Sequence, residues 1–128
     1  MNYDAYQSYH AVNLNAQTAR ATPVQLVLIL MDGLLEEIAR ARAHIEAGRY
    51  EQKALSLDRC VDMLNGLASS LDPDSGGDVV ANLDWLYDYC AWRLSEGGIK
   101  LDTAPLDEVS GLLGTLRRGW VGLADAHD

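Results

Sequence analysis

Cysteine, proline and histidine are scarce in this chain of 128 residues, with two, three and three copies respectively, and each scarcity removes a class of protein. Cys60 and Cys90 make no disulfide framework and read as small buried hydrophobes of a reduced, cytoplasmic protein. Basic side chains are in deficit, 10 against 19 acidic ones, for a formal charge of −9. No stretch between the proposed loops is net positive, which argues against a nucleic-acid backbone or an anionic membrane surface as partner. The longest apolar run, Val24 to Met31 with Gln25 inside it, is too short to cross a bilayer, so no membrane insertion is expected. The N-terminus has no basic region leading into an apolar stretch, so no secretory signal is expected either. A mass of 14.0 kDa and a hydrophobic share of 48% fit one domain folded on its own core.

Carriers of chemistry are missing as well. A carboxylate-bridged metal site in a helical bundle wants Glu-x-x-His on two helices. The only histidine placed in a helix is His44, and Ala41 stands three residues before it. His10 precedes the helices and His127 lies in the tail. No metal, cofactor or catalytic residue is therefore expected, and the chain reads as a non-enzyme. The run His44-Ile45-Glu46-Ala47-Gly48 places a histidine four residues before a glycine, as histidine phosphotransfer bundles do. A phosphotransfer or signalling bundle acting through His44 is thus the alternative function. Ala47 occupies the place where such bundles carry lysine, and a histidine in the last turn of a helix is favoured by the helix dipole alone. Asp58/Asp62 and Asp84/Asp88 are like charges at i, i+4, which mark open, solvated faces. Gly76-Gly77 and Gly97-Gly98 are turn or cap glycines with no phosphate loop around them.

What is present is helical periodicity, almost without interruption. Thr22-Pro23-Val24-Gln25 puts a hydroxyl at the N-cap, proline at N1 and glutamine at N3, a capping box that opens the first helix. Val27, Leu30, Met31, Leu34, Ile38, Ala41 and Ile45 form its main stripe, with Val24, Leu28, Leu35 and Ala39 beside it, and Gly48 ends it. A second helix is predicted over 51–71, with Leu57, Val61, Leu64, Ala68 and Leu71 inward. Turn formers from Asp72 to Gly77 follow. A third is predicted over 78–95, with Val79, Leu83, Leu86, Cys90 and Leu94 inward and Gly97-Gly98 closing it. A fourth begins near Thr103-Ala104-Pro105 and repeats Leu106, Val109, Leu113, Leu116, Trp120 and Leu123 in steps of three and four. The fold class is all-α: an antiparallel four-helix bundle over 22–128, preceded by a cap segment, 1–21, in which Tyr3, Tyr6 and Tyr9 recur at i+3.

Apolar surface is in surplus. Trp85, Tyr89 and Trp92 fall at i, i+4 and i+7, away from the face that carries Leu83, Leu86, Cys90 and Leu94. The first helix has its second stripe, and the fourth has glycines at 111, 114, 119 and 122, each costing up to about 1 kcal/mol against alanine. Spare apolar stripes, a tyrosine-bearing segment and no catalytic group point to a binding module that holds an amphipathic helix in a groove.

The residues also resemble a known family. Thr22-Pro23-Val24-Gln25-Leu26-Val27-Leu28-Ile29-Leu30-Met31-Asp32-Gly33 resembles the first-helix signature of the flagellin-specific export chaperones, the FliS family. Asn82-Leu83-Asp84-Trp85-Leu86-Tyr87-Asp88-Tyr89 with Arg93-Leu94 is similar to that family's third helix. Asp107-Glu108-Val109 through Leu112-Leu113 to Leu116-Arg117 and Trp120 is similar to its fourth, and Tyr9 to its N-terminal tyrosine. The resemblance implies a cytoplasmic chaperone that binds the disordered C-terminal segment of flagellin, prevents its premature polymerisation and supports export by the flagellar type III system. The N-terminal segment would cover part of the client groove when no client is bound. Two departures stand out: Met31 where the family often has tyrosine, and a longer spacer from Val12 to Arg20. On this reading Tyr6 and Tyr9 are the switchable cap. Stripe geometry adds Leu28, Met31 and Leu35 on the first helix and Trp85, Tyr89 and Trp92 on the third as client contacts. Export-gate components and a weakly associating second copy are the further partners the reading allows.

Overall fold

The first helix starts where its capping box sets it. In the computed structural model, which describes residues 21–74 and 76–127, Thr22 Oγ1 accepts from the Gln25 amide at 3.2 Å while the Thr22 amide donates to Gln25 Oε1 at 3.0 Å. Helix α1 then spans Pro23–Ala47 and stops at Gly48, whose φ of 73° is open to a residue without Cβ. Arg49 N–H closes the turn on His44 O at 2.9 Å. α2 covers Tyr50–Ser69, α3 Gly77–Lys100 and α4 Ala104–His127. The extensive helix contacts run α1–α2, α2–α3, α3–α4 and α4–α1, so the four rods stand at the corners of a square, joined by short turns in up-and-down order. α1 and α3 occupy one diagonal. No strand occurs among the described residues.

One layer of side chains from each corner fills the centre: Met31, Leu34, Ile38 and Ala41 from α1, Cys60, Leu64 and Leu67 from α2, Tyr87, Cys90 and Leu94 from α3, and Leu106, Val109 and Leu113 from α4. Desolvation pushes the Cys60 thiol up to about 12 and the Cys90 thiol up to about 11, so both stay protonated and inert, as packed hydrophobes do.

α3 departs most from its sequence-based outline. It does not close at Gly97-Gly98 but runs through both glycines to Lys100. Both are buried because neighbouring helices press against them: a Cβ on Gly98 would stand 2.4 Å from Leu57 Cδ1, and one on Gly97 would stand 2.6 Å from Leu106 Cδ1. The glycines are a crossing point rather than a stop. The helix ends at Leu101 with a left-handed φ of 55°, and Asp102 N–H returns to Gly97 O at 2.9 Å. The core face of α3 is also rotated. Tyr87 is buried, whereas Val79, expected inward, is 66% exposed in the first turn. On α2, Leu67 enters the core although the expected inward set omitted it, and Leu123 at the far end of α4 stays exposed.

Ion pairs stitch the seams. Arg117 Nε donates to Asp32 Oδ1 at 2.5 Å across α4–α1, and Arg42 Nε to Asp107 Oδ1 at 2.7 Å. These pairs are exposed and contribute little individually, about 0–1 kcal/mol. No helix among the described residues is long and apolar enough to cross a membrane.

Candidate functional site

The outward stripe of α3 remains apolar after folding. Trp85 is 65% exposed and Trp92 59% exposed, with Tyr89 half-buried between them. The three rings form a ladder along the helix. Trp85 and Tyr89 stack with centroids 5.4 Å apart at an interplanar angle of 16°, and Tyr89 meets Trp92 at 6.1 Å and 49°. Spacings of four and three residues put each ring about one turn from the next, which is why the sequence pattern alone located the ladder.

α4 fixes the middle rung. Tyr89 O–H donates to Glu108 Oε2 at 2.5 Å, and Arg93 Nε donates to Glu108 Oε1 at 2.7 Å. The hydrogen bond from Tyr89, followed by that from Arg93, holds the Glu108 carboxyl below its ordinary range. The same bond to Glu108 raises the Tyr89 phenol above its own. At neutral pH one carboxylate therefore accepts from both α3 donors and sets the tilt of the ladder against the α3–α4 seam. Arg93 also reaches Glu96 Oε1 at 3.2 Å, and Lys100 reaches the same oxygen at 3.0 Å.

Beyond Trp92 the stripe continues to Ile99, which is 83% exposed. Trp92, Ser95, Glu96, Ile99 and Lys100 line a shallow hollow of about 220 Å³. A larger hollow, about 420 Å³, lies at the α2–α3 turn, lined by Leu71, Pro73, Val80, Ala81 and neighbours. Sequence reasoning missed Ile99 and Glu108. Ile99 stands seven residues after Trp92, a signal that was masked by the expectation that the helix ends at Gly97. Glu108 had no signal of its own, since its role depends on which face α4 turns toward α3.

The α1 residues are placed differently from the α3 ones. Leu28 and Leu35 are half-buried, and Leu35 packs against the core. Met31 is a correction: at 0% exposure it is a core residue, with no atom left for a client in this structure, because its stripe faces the bundle centre with Leu34 and Ile38. The α1 and α3 sets lie on diagonal helices and do not form one groove. Tyr6 and Tyr9 lie outside the described residues.

His44, the alternative centre, is half-buried, and its Nδ1 accepts from Arg49 Nε at 2.9 Å. Desolvation first, then the Arg49 charge, lowers its pKa below the usual imidazole range. A neutral ring held by an arginine is a capping arrangement for the α1–α2 turn. Among the described residues no three His, Cys, Asp or Glu side chains gather as metal ligands.

Comparison with known proteins agrees with the architecture. Residues 5–127 match the family described as Flagellar protein FliS. The chain is similar to the flagellar secretion chaperone FliSB of Pseudomonas aeruginosa, 38% identical over 120 residues that cover 94% of this chain and 95% of the relative. It is also similar to the flagellar secretion chaperone FliS of Salmonella typhimurium, 33% identical over 115 residues, 89% of this chain and 85% of the relative. Its fold is similar to a crystal structure of a flagellar chaperone from bacteria, with a TM-score of 0.78 at 16% identity, covering 98% of this chain and 99% of the other. A match across nearly the whole chain, relatives above 30% identity and a bundle with an uncovered aromatic seam lead to one conclusion: the chain belongs to the FliS family.

Proposed function

We propose that this protein is a cytoplasmic chaperone that binds the disordered C-terminal segment of flagellin along its apolar surfaces, prevents premature polymerisation and supports export through the flagellar type III system. The observation that carries the reading is the Trp85–Tyr89–Trp92 ladder, exposed yet stacked and pinned by Glu108. Covering the free faces of the two tryptophans removes on the order of 300 Å² from water, about 7 kcal/mol as an upper bound. Ordering a disordered segment on binding costs about 2–5 kcal/mol, so a few such anchors suffice. The balance that remains allows release at the export gate without hydrolysis by the chaperone.

The placement of Leu28 and Leu35 on the diagonal from the ladder supports a client that wraps around the bundle rather than one that lies in a single trench. Tyr6 and Tyr9, on the segment 1–21, are assigned the role of a cap that competes with the client. Calorimetry with a flagellin C-terminal peptide tests the reading. Micromolar or tighter binding that weakens in Trp85→Ala and Trp92→Ala is expected, and so is loss of co-purifying flagellin when its C-terminus is truncated. Wild-type affinity in both tryptophan variants would remove the ladder from the client path.

A further inference from the structure

The two flanks of the aromatic ladder differ in charge. On the α4 side the charges answer one another: Glu108 takes Tyr89 and Arg93, and Glu96 takes Arg93 and Lys100, so two carboxylates face two cations. On the other side stand Asp84 and Asp88, both exposed. Neither pairs with a Lys, Arg or His side chain among the described residues. Helical spacing fixes how they meet the rings. Asp88 follows Trp85 by three residues and precedes Trp92 by four, so it shares a face with both tryptophans and lies between them. Asp84 lies one turn behind Asp88 and also lines the hollow of about 420 Å³ at the α2–α3 turn, where it is the only charged side chain among the described lining residues. The uncompensated flank therefore turns toward α2.

Like carboxylates one turn apart repel each other. Beside them two indole faces are open, with Trp85 65% and Trp92 59% exposed. A ring face next to a carboxylate attracts a cation twice, once through the ring quadrupole and once through charge. A wholly apolar helix laid over the ladder would strip water from Asp88 and return nothing, whereas a basic side chain offers donors to the carboxylates and its charge to the indole. We propose that the client helix on this face carries a basic side chain one turn from an apolar anchor, its cation lying over Trp85 and paired with Asp88 and Asp84 while the anchor covers Trp92. This rests on the reading that a client covers the ladder. It adds which side chain the client must present there and that the client's basic edge turns toward α2. The formal charge of −9 acts in the same direction, drawing a basic segment toward the surface before contact.

The test is calorimetry on the full chain at low and high salt, comparing wild type with the double variant Asp84→Asn/Asp88→Asn. The probes are a flagellin C-terminal peptide and versions of it in which each Arg or Lys in turn, and then all of them, are replaced by Gln. Both aspartates are exposed, so the double variant should melt at or above the wild-type temperature. Its affinity for the native peptide should fall about fivefold or more, and salt should weaken the wild type more than the variant. One single-Gln peptide should lose as much against wild type and nothing further against the double variant, the coupling that a direct contact produces. Trp85→Ala and Trp92→Ala, run alongside, separate two failures. If they weaken binding while the aspartate variant matches wild type, the ladder remains the client surface and the cation pairing is wrong. If neither weakens binding, the client reading falls and the pairing with it. A native peptide without a basic residue, or losses in the aspartate variant that couple to no basic residue of the peptide, overturns the proposal too. So does an all-Gln peptide that binds wild type as tightly as the native one, an outcome that needs no change in the chaperone.

Discussion

Helix α3 carries two apolar faces on one backbone, and they have opposite fates. Tyr87, Cys90, Leu94, Gly97 and Gly98 turn inward and are buried by α2 and α4. Trp85, Tyr89, Trp92 and Ile99 turn outward along the α3–α4 seam, and only Tyr89 is substantially covered, with Glu108 holding its hydroxyl. Composition does not separate them, since the outward face has the larger and more hydrophobic rings. What separates them is contact. The inward face is small enough for neighbouring helices to reach, down to two glycines, whereas the outward face is large and stays uncovered among the described residues. A buried face and an uncovered aromatic face thus lie on the same helix about half a turn apart.

This contrast can be broken from either side. The largest effect is expected from Leu94→Ala, which empties a fully buried site and should cost about 2–5 kcal/mol in urea unfolding. A loss under 1 kcal/mol would mean that the inward face is not the structural one. Gly97→Ala should come next, at about 1–3 kcal/mol, because its new Cβ would stand 2.9 Å from Asp102 O, a backbone atom held by the left-handed turn at Leu101. Trp85→Ala with Trp92→Ala should reverse the pattern, changing stability by less than about 1 kcal/mol while flagellin-peptide affinity falls about tenfold or more. A melting temperature that collapses with unchanged binding would assign the ladder to the core.

Smaller effects sharpen the comparison at α4. A Cβ on Gly111 meets open space, so Gly111→Ala should stabilise by about 0.5–1 kcal/mol through helix propensity. If peptide affinity drops at the same time, the smooth face of α4 is part of the client's route. The smallest effect is expected from Glu108→Gln, read from tryptophan fluorescence and thermal melts against pH. The folded Glu108 carboxyl is depressed, so its stabilisation is present above the ordinary carboxylate range and lost as pH falls through the lowered value. Wild type and variant should therefore differ at neutral pH and converge in strong acid. Parallel curves at every pH would show that Glu108 does not hold Tyr89 through its charge.

Much of this was readable without coordinates, for reasons that differ by residue. The capping box at Thr22 and the glycine stop at Gly48 involve neighbours in sequence, so α1 was legible at both ends. The ladder was legible because helical spacing fixes which rings align. Gly97 and Gly98 were misread because a glycine pair is compatible with a cap and with a close crossing, and only the approach of Leu57 and Leu106 distinguishes them. Met31 stands in the main stripe of α1 and was also expected to touch a client; at 0% exposure it goes with its stripe, beside Leu34 and Ile38, because that stripe is covered completely by the neighbouring helices.

The sequence by itself determined four helices, the acidic character, the inert cysteines and the aromatic row, because these follow from local spacing, side-chain type and charge. Tertiary structure decided which apolar face each helix buries, that α1 and α3 stand on a diagonal, and that Glu108 reaches Tyr89 and Arg93. Those outcomes depend on the rotation and crossing of helices far apart in the chain, set by close packing between surfaces rather than by any single stretch of residues.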